Sequence, residues 1–414
     1  MHFLVRRLFV STVLITIMTT SSFASPSLQG LFNTGVYTFT RSDTQDSTLF
    51  HSRLHQSMTL NTRDLFLKGS LLRTSGLFYM DPFNSFSEEP GFHIYTLSYQ
   101  TEWFNRQLNI NLGRQFVYSI TQSRRIDGVY ATFRRSSYHI KMFAGGYLPG
   151  LGAPSNLIAD HLIGADFIWT YTPGLNIGVG LSELGRERKS YEAIRQGKET
   201  ITVSSSASQR LGYQLNWSAK KISAYVRGRH DLFTSELQDF RTRLSYRGER
   251  LKSFSIEFSH REPQVLDNSI FSVFGGTASQ EIRSNATVSI NADMTSYLRV
   301  RHVQFDGDVS NMVSVGLSYK AYMLDLRHQN GYGGSYNHAI LSTQHMMGKN
   351  RLYAKLNLGS FKLLEGESQD LATVLLGAHI PFKSKFQLSL ESQLLRNKYY
   401  DYDARVYVGF RYRL

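Results

Sequence analysis

Apolar and polar residues alternate most clearly in the last ten residues of the chain, R-V-Y-V-G-F-R-Y-R-L. Successive side chains of a β-strand point to opposite faces, so this stretch predicts a strand with one apolar and one cationic face. The apolar face carries Val406 and Val408, and the cationic face carries Arg405 and Arg411. In a soluble sandwich the apolar face packs on a second sheet. In a membrane barrel it meets lipid, and the polar face lines a wet lumen.

The same period of two recurs in earlier segments, for example at residues 211–217, 351–359, 372–380 and 386–391. These segments lack the i, i+3, i+4 and i+7 spacing of apolar residues that marks an amphipathic helix. A soluble all-β domain is the alternative, but sheet-on-sheet packing requires bulkier inward residues and leaves sheet edges to protect. The pattern therefore favours a closed membrane barrel.

Short turns and longer polar loops alternate along the chain. We expect short turns near residues 61–64, 104–107, 134–137, 171–174, 218–220, 247–250, 291–293, 319–321, 347–350 and 381–384. We expect looser connections near residues 41–48, 81–90, 118–126, 148–160, 185–198, 231–238, 262–279, 305–309, 329–335, 362–370 and 396–402. This layout predicts an all-β fold: a single transmembrane antiparallel up-and-down β-barrel of about 22 strands, with 16–20 as the alternative. Both chain ends then lie at the short-turn, periplasmic end.

The beginning of the chain has the composition of an export signal. Two arginines precede an apolar stretch at residues 8–18, which is too short to span a bilayer of about 30 Å as a helix. Small residues suit cleavage after Ala24. We expect residues 1–24 to be a signal peptide and residues 25–414 to form the outer-membrane barrel, with no plug domain before the first strand.

Composition adds three constraints. The chain has no cysteine, which excludes disulfides, haem attachment through C-x-x-C-H and cysteine-ligated metal centres. Its mean hydropathy of −0.27 looks soluble, but a barrel gives the same value because half of each strand faces water. The formal net charge of +14 indicates an anionic partner or solute.

Aromatic residues stand near the predicted short turns, on the lipid-facing parity. Their rings suit the membrane–water boundary, where one part is apolar and the N–H or O–H is wet. We predict a periplasmic aromatic girdle of Trp103, Trp169, Trp217, Tyr246, Tyr319 and Tyr412. The predicted signal for the barrel-assembly machinery is Phe410, Tyr412 and Leu414, with leucine at the end where phenylalanine is common.

The opposite parity is rich in arginine. The candidate lumen-lining bases are Arg227, Arg229, Arg241, Arg243, Arg299, Arg301, Arg327, Arg405 and Arg411. Acids on the same face, at Glu257, Glu281, Asp325 and Glu391, permit cross-strand ion pairs that only stiffen and hydrate the wall. The excess of bases favours instead a positive lumen that attracts anions, as a property of the whole set and not of one residue.

One arginine has an unexpected parity. Leu108 and Leu112 lie on the lipid-facing parity, and the same parity would place Arg114 in lipid at a cost of about 2–4 kcal/mol. We expect either a β-bulge at Gly113 that turns this side chain inward, or a position high enough for it to reach water.

The segment of residues 108–147 contains L-G-R-Q, a loop and then I-D-G-V, and it resembles porin-like barrels of Gram-negative bacteria, including export barrels for acidic polysaccharide. The wider layout resembles the porin subunits of porin–cytochrome conduits, in which a large barrel surrounds a multihaem cytochrome. That second likeness is architectural and has no motif. Both resemblances imply a barrel in the bacterial outer membrane, embedded in its lipid.

Two functions stay open, a channel for anionic solutes or acidic polysaccharide and the sheath of a trans-envelope complex. The sequence shows no clustered catalytic set or metal-ligand spacing, so we expect no enzyme activity and no cofactor. We expect no nucleic-acid partner either, since the basic residues line membrane strands.

Strands about 4.8 Å apart and tilted by about 40° enclose a cylinder on the order of 40 Å across. That width favours a lumen-filling periplasmic protein such as a multihaem cytochrome; the rival is a stand-alone porin with a long loop, near residues 148–160, 185–198 or 262–279, folded inward.

Overall fold

Strands make up all the regular structure in the part of the chain that the structure describes. The computed structural model describes residues 26–42, 48–83, 89–148, 160–194, 200–232, 235–262, 278–305, 307–332, 334–363, 366–397 and 400–414. The predicted signal peptide lies outside these residues. The first eleven strands are β1 (Ser27–Ser42), β2 (Thr48–Arg63), β3 (Leu71–Met80), β4 (Gly91–Trp103), β5 (Leu108–Tyr118), β6 (Ser123–Arg134), β7 (Tyr138–Tyr147), β8 (His161–Thr172), β9 (Leu175–Ile194), β10 (Thr200–Ser218) and β11 (Ile222–Asp231). The others are β12 (Glu236–Tyr246), β13 (Leu251–Arg261), β14 (Ser279–Ser289), β15 (Met294–Phe305), β16 (Asp308–Tyr319), β17 (Tyr322–Gly331), β18 (Ser335–Met347), β19 (Asn350–Lys362), β20 (Gln369–Phe382), β21 (Phe386–Asn397) and β22 (Tyr400–Arg413).

The sheet closes on itself. Each described strand pairs antiparallel with its neighbours in sequence, and β1 pairs with β22 in a register that joins Leu31 to Arg413 and Thr38 to Val406. Closure leaves no free edge strand, so the backbone groups of the wall are paired within the sheet except where β4 and β5 separate. The prediction of a closed up-and-down barrel of 22 strands is confirmed over the described ranges.

The short turns lie where they were predicted, at the barrel end that holds Ser27 and Arg413. The turn expected at residues 61–64 comes later, because Asn61 still pairs with Arg73 and β2 ends at Arg63. A second correction concerns residues 185–198, predicted as a loop. There β9 extends to Ile194 and β10 begins at Thr200, because a hairpin that rises beyond the lipid tolerates charged residues on both faces.

The outward face of the barrel is apolar. Val179, Leu376 and Val408, all on the outward parity, are 46%, 55% and 44% exposed, whereas inward Asp166 and Ser314 are 1% and 0% exposed. An apolar band around a closed sheet is the surface that meets lipid, so the chain is a membrane-spanning barrel of the outer-membrane type. The described residues contain no helix long and apolar enough to cross a membrane.

Several inward glycines are covered by rings from the neighbouring strand. A Cβ added at Gly316 would lie 2.1 Å from the Tyr297 ring, and one at Gly377 would lie 2.1 Å from the Tyr353 ring. A larger residue at these positions would displace the ring. Ring-over-glycine packing therefore covers the backbone and keeps aromatic side chains flat against the wall.

Candidate functional site in the barrel lumen

Strand β5 leaves the barrel wall part-way along its length. Its pairing with β4 ends where Leu97 faces Arg114, but its pairing with β6 continues until Tyr118 faces Ser123. Gly113 stands at this departure with φ of +105°, and a Cβ there would lie 2.4 Å from the Leu97 carbonyl oxygen. Only glycine combines this backbone conformation with so close an approach. The backbone of the β5–β6 hairpin therefore has no pairing with β4 beyond Arg114.

The tip of the β5–β6 hairpin, residues 119–122, is seated on the inner wall. Ile120 is 2% exposed because it lies over three inward glycines, which we call the glycine socket. The socket consists of Gly178 and Gly180 of β9 and Gly212 of β10. Cβ atoms added at these three positions would lie 2.8, 3.3 and 2.9 Å from side-chain carbons of Ile120. The socket alternates with lipid-exposed apolar residues such as Val179, so the tip lies inside the barrel.

Asp166 of β8 anchors this tip. The Ser119 hydroxyl donates to Asp166 Oδ1 at 2.7 Å, and the Ile120 N–H approaches both carboxylate oxygens at 3.2 and 3.1 Å. Lys141 Nζ lies 3.9 Å from the same carboxylate and donates to the Tyr118 carbonyl oxygen at 3.2 Å. A buried carboxylate with charge-assisted hydrogen bonds and a cation beside it holds the tip in one place.

Two of the predicted lumen arginines also bind the tip. Arg227 Nη2 donates to the Ile120 carbonyl oxygen at 2.8 Å, and Arg229 Nη1 donates to the Thr121 carbonyl oxygen at 3.4 Å. Arg229 Nη2 lies 2.9 Å from Asp239 as well. The tip is thus tied to β8, β9, β10 and β11, across four strands of the inner wall.

Behind the tip, the hairpin and the wall share a small apolar core. Its buried members are Val117 and Ile126 of the hairpin and Phe143, Tyr147, Leu162 and Leu184 of the wall. These residues occupy the inward parity, where polar side chains are the rule in a barrel with a wet lumen. Apolar burial therefore adds to the hydrogen bonds that fold the hairpin inward.

Arg114 is neutralised where the hairpin departs. Its Nε and Nη2 lie 2.9 and 2.8 Å from the two oxygens of Asp127, and its Nη1 donates to the Ile94 carbonyl oxygen at 3.2 Å. The register runs without interruption from Leu112 opposite Val129 to Arg114 opposite Asp127, so the predicted β-bulge at Gly113 is wrong. A bidentate ion pair with Asp127 of the adjacent strand holds the Arg114 guanidinium instead.

Several other predicted lumen arginines are paired with acids. The pairs are Arg241 with Glu257 at 3.7 Å, Arg301 with Glu281 at 3.0 Å, Arg327 with Asp325 at 3.9 Å and Arg405 with Asp403 at 2.7 Å. Arg411 donates to Asn33 at 2.8 Å. Arg243 and Arg299 differ: both are exposed, and no described carboxylate lies within 4.0 Å of either. Arg299 lies over the Tyr297 ring, 4.4 Å from its centroid.

Arg243 and Arg299 border a polar hollow of about 700 Å³ in the inner wall. Asn176 lines this hollow and lies two residues from Gly178 of the glycine socket, towards the short-turn end. The other lining residues include Asn216, Ser245, Asn285 and the ion pair of Arg241 with Glu257. Hydroxyl, amide and guanidinium groups therefore line the inner wall on the short-turn side of the hairpin tip, where they can solvate an anion.

The predicted girdle residues lie near the short turns. Trp103, Trp169 and Trp217 are 50%, 43% and 40% exposed on the outward face, and Tyr319 is 47% exposed. Tyr246 ends β12. Near the end of β22, Tyr412 stacks on Phe386 at 4.8 Å, Phe410 is 44% exposed and the Leu414 N–H donates to the Gly30 carbonyl oxygen at 2.9 Å. A boundary girdle and an assembly signal remain predictions for these residues.

The sequence reasoning missed Asp166 and the glycine socket. It treated residues 118–126 as one more external loop, although an isolated apolar Ile120 among polar residues was a possible signal. Of the longer loops expected to supply an infolded element, residues 151–159, 195–199 and 263–277 lie outside the described residues. Over the described ranges, no group of three or more His, Asp or Glu side chains is placed to hold a metal ion.

Comparison with known proteins finds solved structures that resemble this chain in fold. No protein-family model and no curated protein matches the chain. The P pilus usher (PapC) translocation pore is similar over 94% of this chain and 99% of its own, with 9% identity and a TM-score of 0.49. Pseudomonas aeruginosa OpdQ is similar over 94% of this chain and 99% of its own, with 10% identity and a TM-score of 0.44. Acinetobacter baumannii OccAB3 is similar over 94% of this chain and all of its own, with 10% identity and a TM-score of 0.43.

Proposed function

We propose that the chain is an outer-membrane channel that works alone, with a lumen narrowed by the β5–β6 hairpin. The observation that carries this proposal is the hairpin tip on the inner wall, with Ile120 in the glycine socket and Asp166 as its anchor. A barrel of this strand number is too wide for wall side chains to fill. A hairpin fixed against the wall reduces the open cross-section and still leaves a path for water and solutes.

The rival function is a sheath around a lumen-filling partner such as a multihaem cytochrome. The width of the barrel favours it. The hairpin opposes it, because residues 119–122 cover an inner surface across β8–β11 that a tightly enclosed partner would need. Purification in mild detergent, followed by a haem stain of the co-purifying proteins, separates the two functions. The stand-alone channel predicts no haem protein in the purified sample.

We also propose that the channel prefers anions, including acidic saccharides. Arg243 and Arg299 are exposed on the inward parity without a described carboxylate within 4.0 Å, and both line the polar hollow. Unpaired cations on a narrowed wall raise the local concentration of anions, and added salt screens this effect. The preference should therefore be strongest at low ionic strength.

Removal of the hairpin tests the proposal. Arg114 already faces Asp127, so replacing residues 115–126 with Asn-Gly would join them by a two-residue turn. Every pairing between β5 and β4 would remain. We expect a higher single-channel conductance in planar bilayers. The matched control replaces residues 348–349, at a short turn, with Asn-Gly and should conduct like the unmodified protein. Equal or lower conductance without the hairpin would contradict the proposal.

A further inference from the structure

Aromatic and imidazole rings form a flat patch where the first and last strands meet. His55 of β2 and Tyr407 of β22 both lie over Gly35 of β1, whose added Cβ would be 2.5 and 2.7 Å from their ring atoms. The two ring planes differ by 10°, with centroids 5.8 Å apart. The two nearly parallel rings pack together over one glycine of the inner wall. Tyr79 of β3 covers Gly91 of β4 in the same way.

These rings border a hollow of about 480 Å³ on the inner wall. Its lining residues are Tyr37, Arg53, His55, Leu77, Tyr79 and Tyr407, and we call this set the seam patch. The volume falls in the range of about 300–1,000 Å³ that is usual for small-molecule sites. The seam patch has the size and the aromatic lining of a ligand site, on strands that do not contact the hairpin tip.

Ion pairs flank the rings. Arg53 Nη2 lies 2.9 Å from Glu89, and its guanidinium carbon lies 5.8 Å from the Tyr79 ring centroid. Arg405 Nε lies 2.7 Å from Asp403, and its Nη1 donates to the Tyr37 hydroxyl at 3.5 Å. Each guanidinium is matched by a carboxylate. Both carboxylates are buried, so the edges of the patch offer guanidinium donors with little net charge.

We propose that the seam patch binds the pyranose rings of a neutral oligosaccharide. The C–H groups on one face of a pyranose pack on the negative faces of Tyr and His rings. Hydroxyl oxygens at the sugar edge can accept from the guanidinium groups of Arg53 and Arg405, whose side chains are 39% and 29% exposed. The buried carboxylates of Glu89 and Asp403 cancel the charge of the two guanidinium groups, so the patch gives an anion such as phosphate no net electrostatic attraction. A neutral oligosaccharide would then be a solute of the proposed channel. Its binding rests on that proposed function only because the lumen must admit the sugar.

Calorimetric titration with maltohexaose, on the purified chain in detergent, tests this inference. We expect saturable binding that Tyr79→Leu and Tyr407→Leu each weaken by about tenfold, the effect of losing one stacking contact. Tyr297→Leu is the matched control, because its ring covers Gly316 on another part of the inner wall, and it should bind normally. If Tyr407→Leu does not assemble, Tyr79→Leu decides the question.

Three results would overturn the seam patch as a neutral-sugar site. They are no binding of maltohexaose, equal binding by both patch variants, or binding of trigalacturonate with none of maltohexaose. Calorimetry does not depend on conduction, so the two proposals fail separately. A chain that binds the sugar and passes no current would contradict the channel alone, and a chain that conducts without binding it would contradict the patch alone.

Discussion

Asp166→Ala should release the hairpin tip from the lumen wall. The substitution removes the acceptor for the Ser119 hydroxyl and the Ile120 N–H, and it leaves Lys141 without the carboxylate 3.9 Å away. Hydrogen bonds to a charged group contribute about 1.5–3 kcal/mol each. At the lower value, losing the bonds from both donors removes about 3 kcal/mol of the free energy that holds the tip on the wall. Since about 1.4 kcal/mol corresponds to a factor of ten, the equilibrium constant for lifting the tip rises about 100-fold.

Thiol labelling measures this opening. The chain has no cysteine, so Thr121→Cys introduces a single thiol at a position that is 0% exposed. A maleimide reaches that thiol only when the tip lifts, so the labelling rate follows the opening equilibrium. We expect labelling about 100-fold faster with Asp166→Ala in the same chain, whereas Asp293→Ala, at an exposed aspartate in a short turn, should change nothing. A rise below about threefold in a correctly assembled barrel would refute the anchoring role of Asp166.

Two further predictions concern orientation and charge. An epitope tag at Gly366 should bind antibody on intact cells and a tag at Gly348 should not; labelling at Gly348 would reverse the assigned orientation. Arg243→Gln combined with Arg299→Gln should reduce the anion preference measured as a reversal potential at low salt, because it removes exposed lumen cations without breaking a described ion pair. Arg135→Gln, in a short turn outside this hollow, is the control, and an unchanged preference in the double variant would show that Arg243 and Arg299 do not set it.

The barrel could be predicted because lipid and water act on every residue of a strand. In β19, the apolar residues Leu352, Leu356 and Leu358 alternate with Arg351 and Lys355, and this local pattern alone fixes which side faces lipid. Most short turns were also predictable, since they break the alternation at a short polar run. The turn after β2 was not, because it contains Leu65, Phe66 and Leu67. Exact strand ends were less so, as at residues 185–198, because charged residues do not distinguish a loop from a strand beyond the lipid.

The hairpin tip could not be predicted, because its contacts join distant parts of the sequence. Nothing local links Ile120 to Gly212 or Ser119 to Asp166; the closed barrel brings them together. The neutralisation of individual arginines depends in the same way on register. Arg301 binds Glu281, although the residue directly opposite Glu281 is Val303. The basic lumen as a whole therefore stays a prediction, and the sequence could not show which bases are unpaired.

Reversal potential in a planar bilayer tests the central claim most directly. The purified chain, without any partner, would be reconstituted and recorded across a KCl gradient at low ionic strength. The account predicts discrete single-channel steps, a reversal potential on the chloride side and a shift towards zero as salt is raised. Absence of conductance from a correctly folded barrel, or a reversal potential on the potassium side, would contradict it.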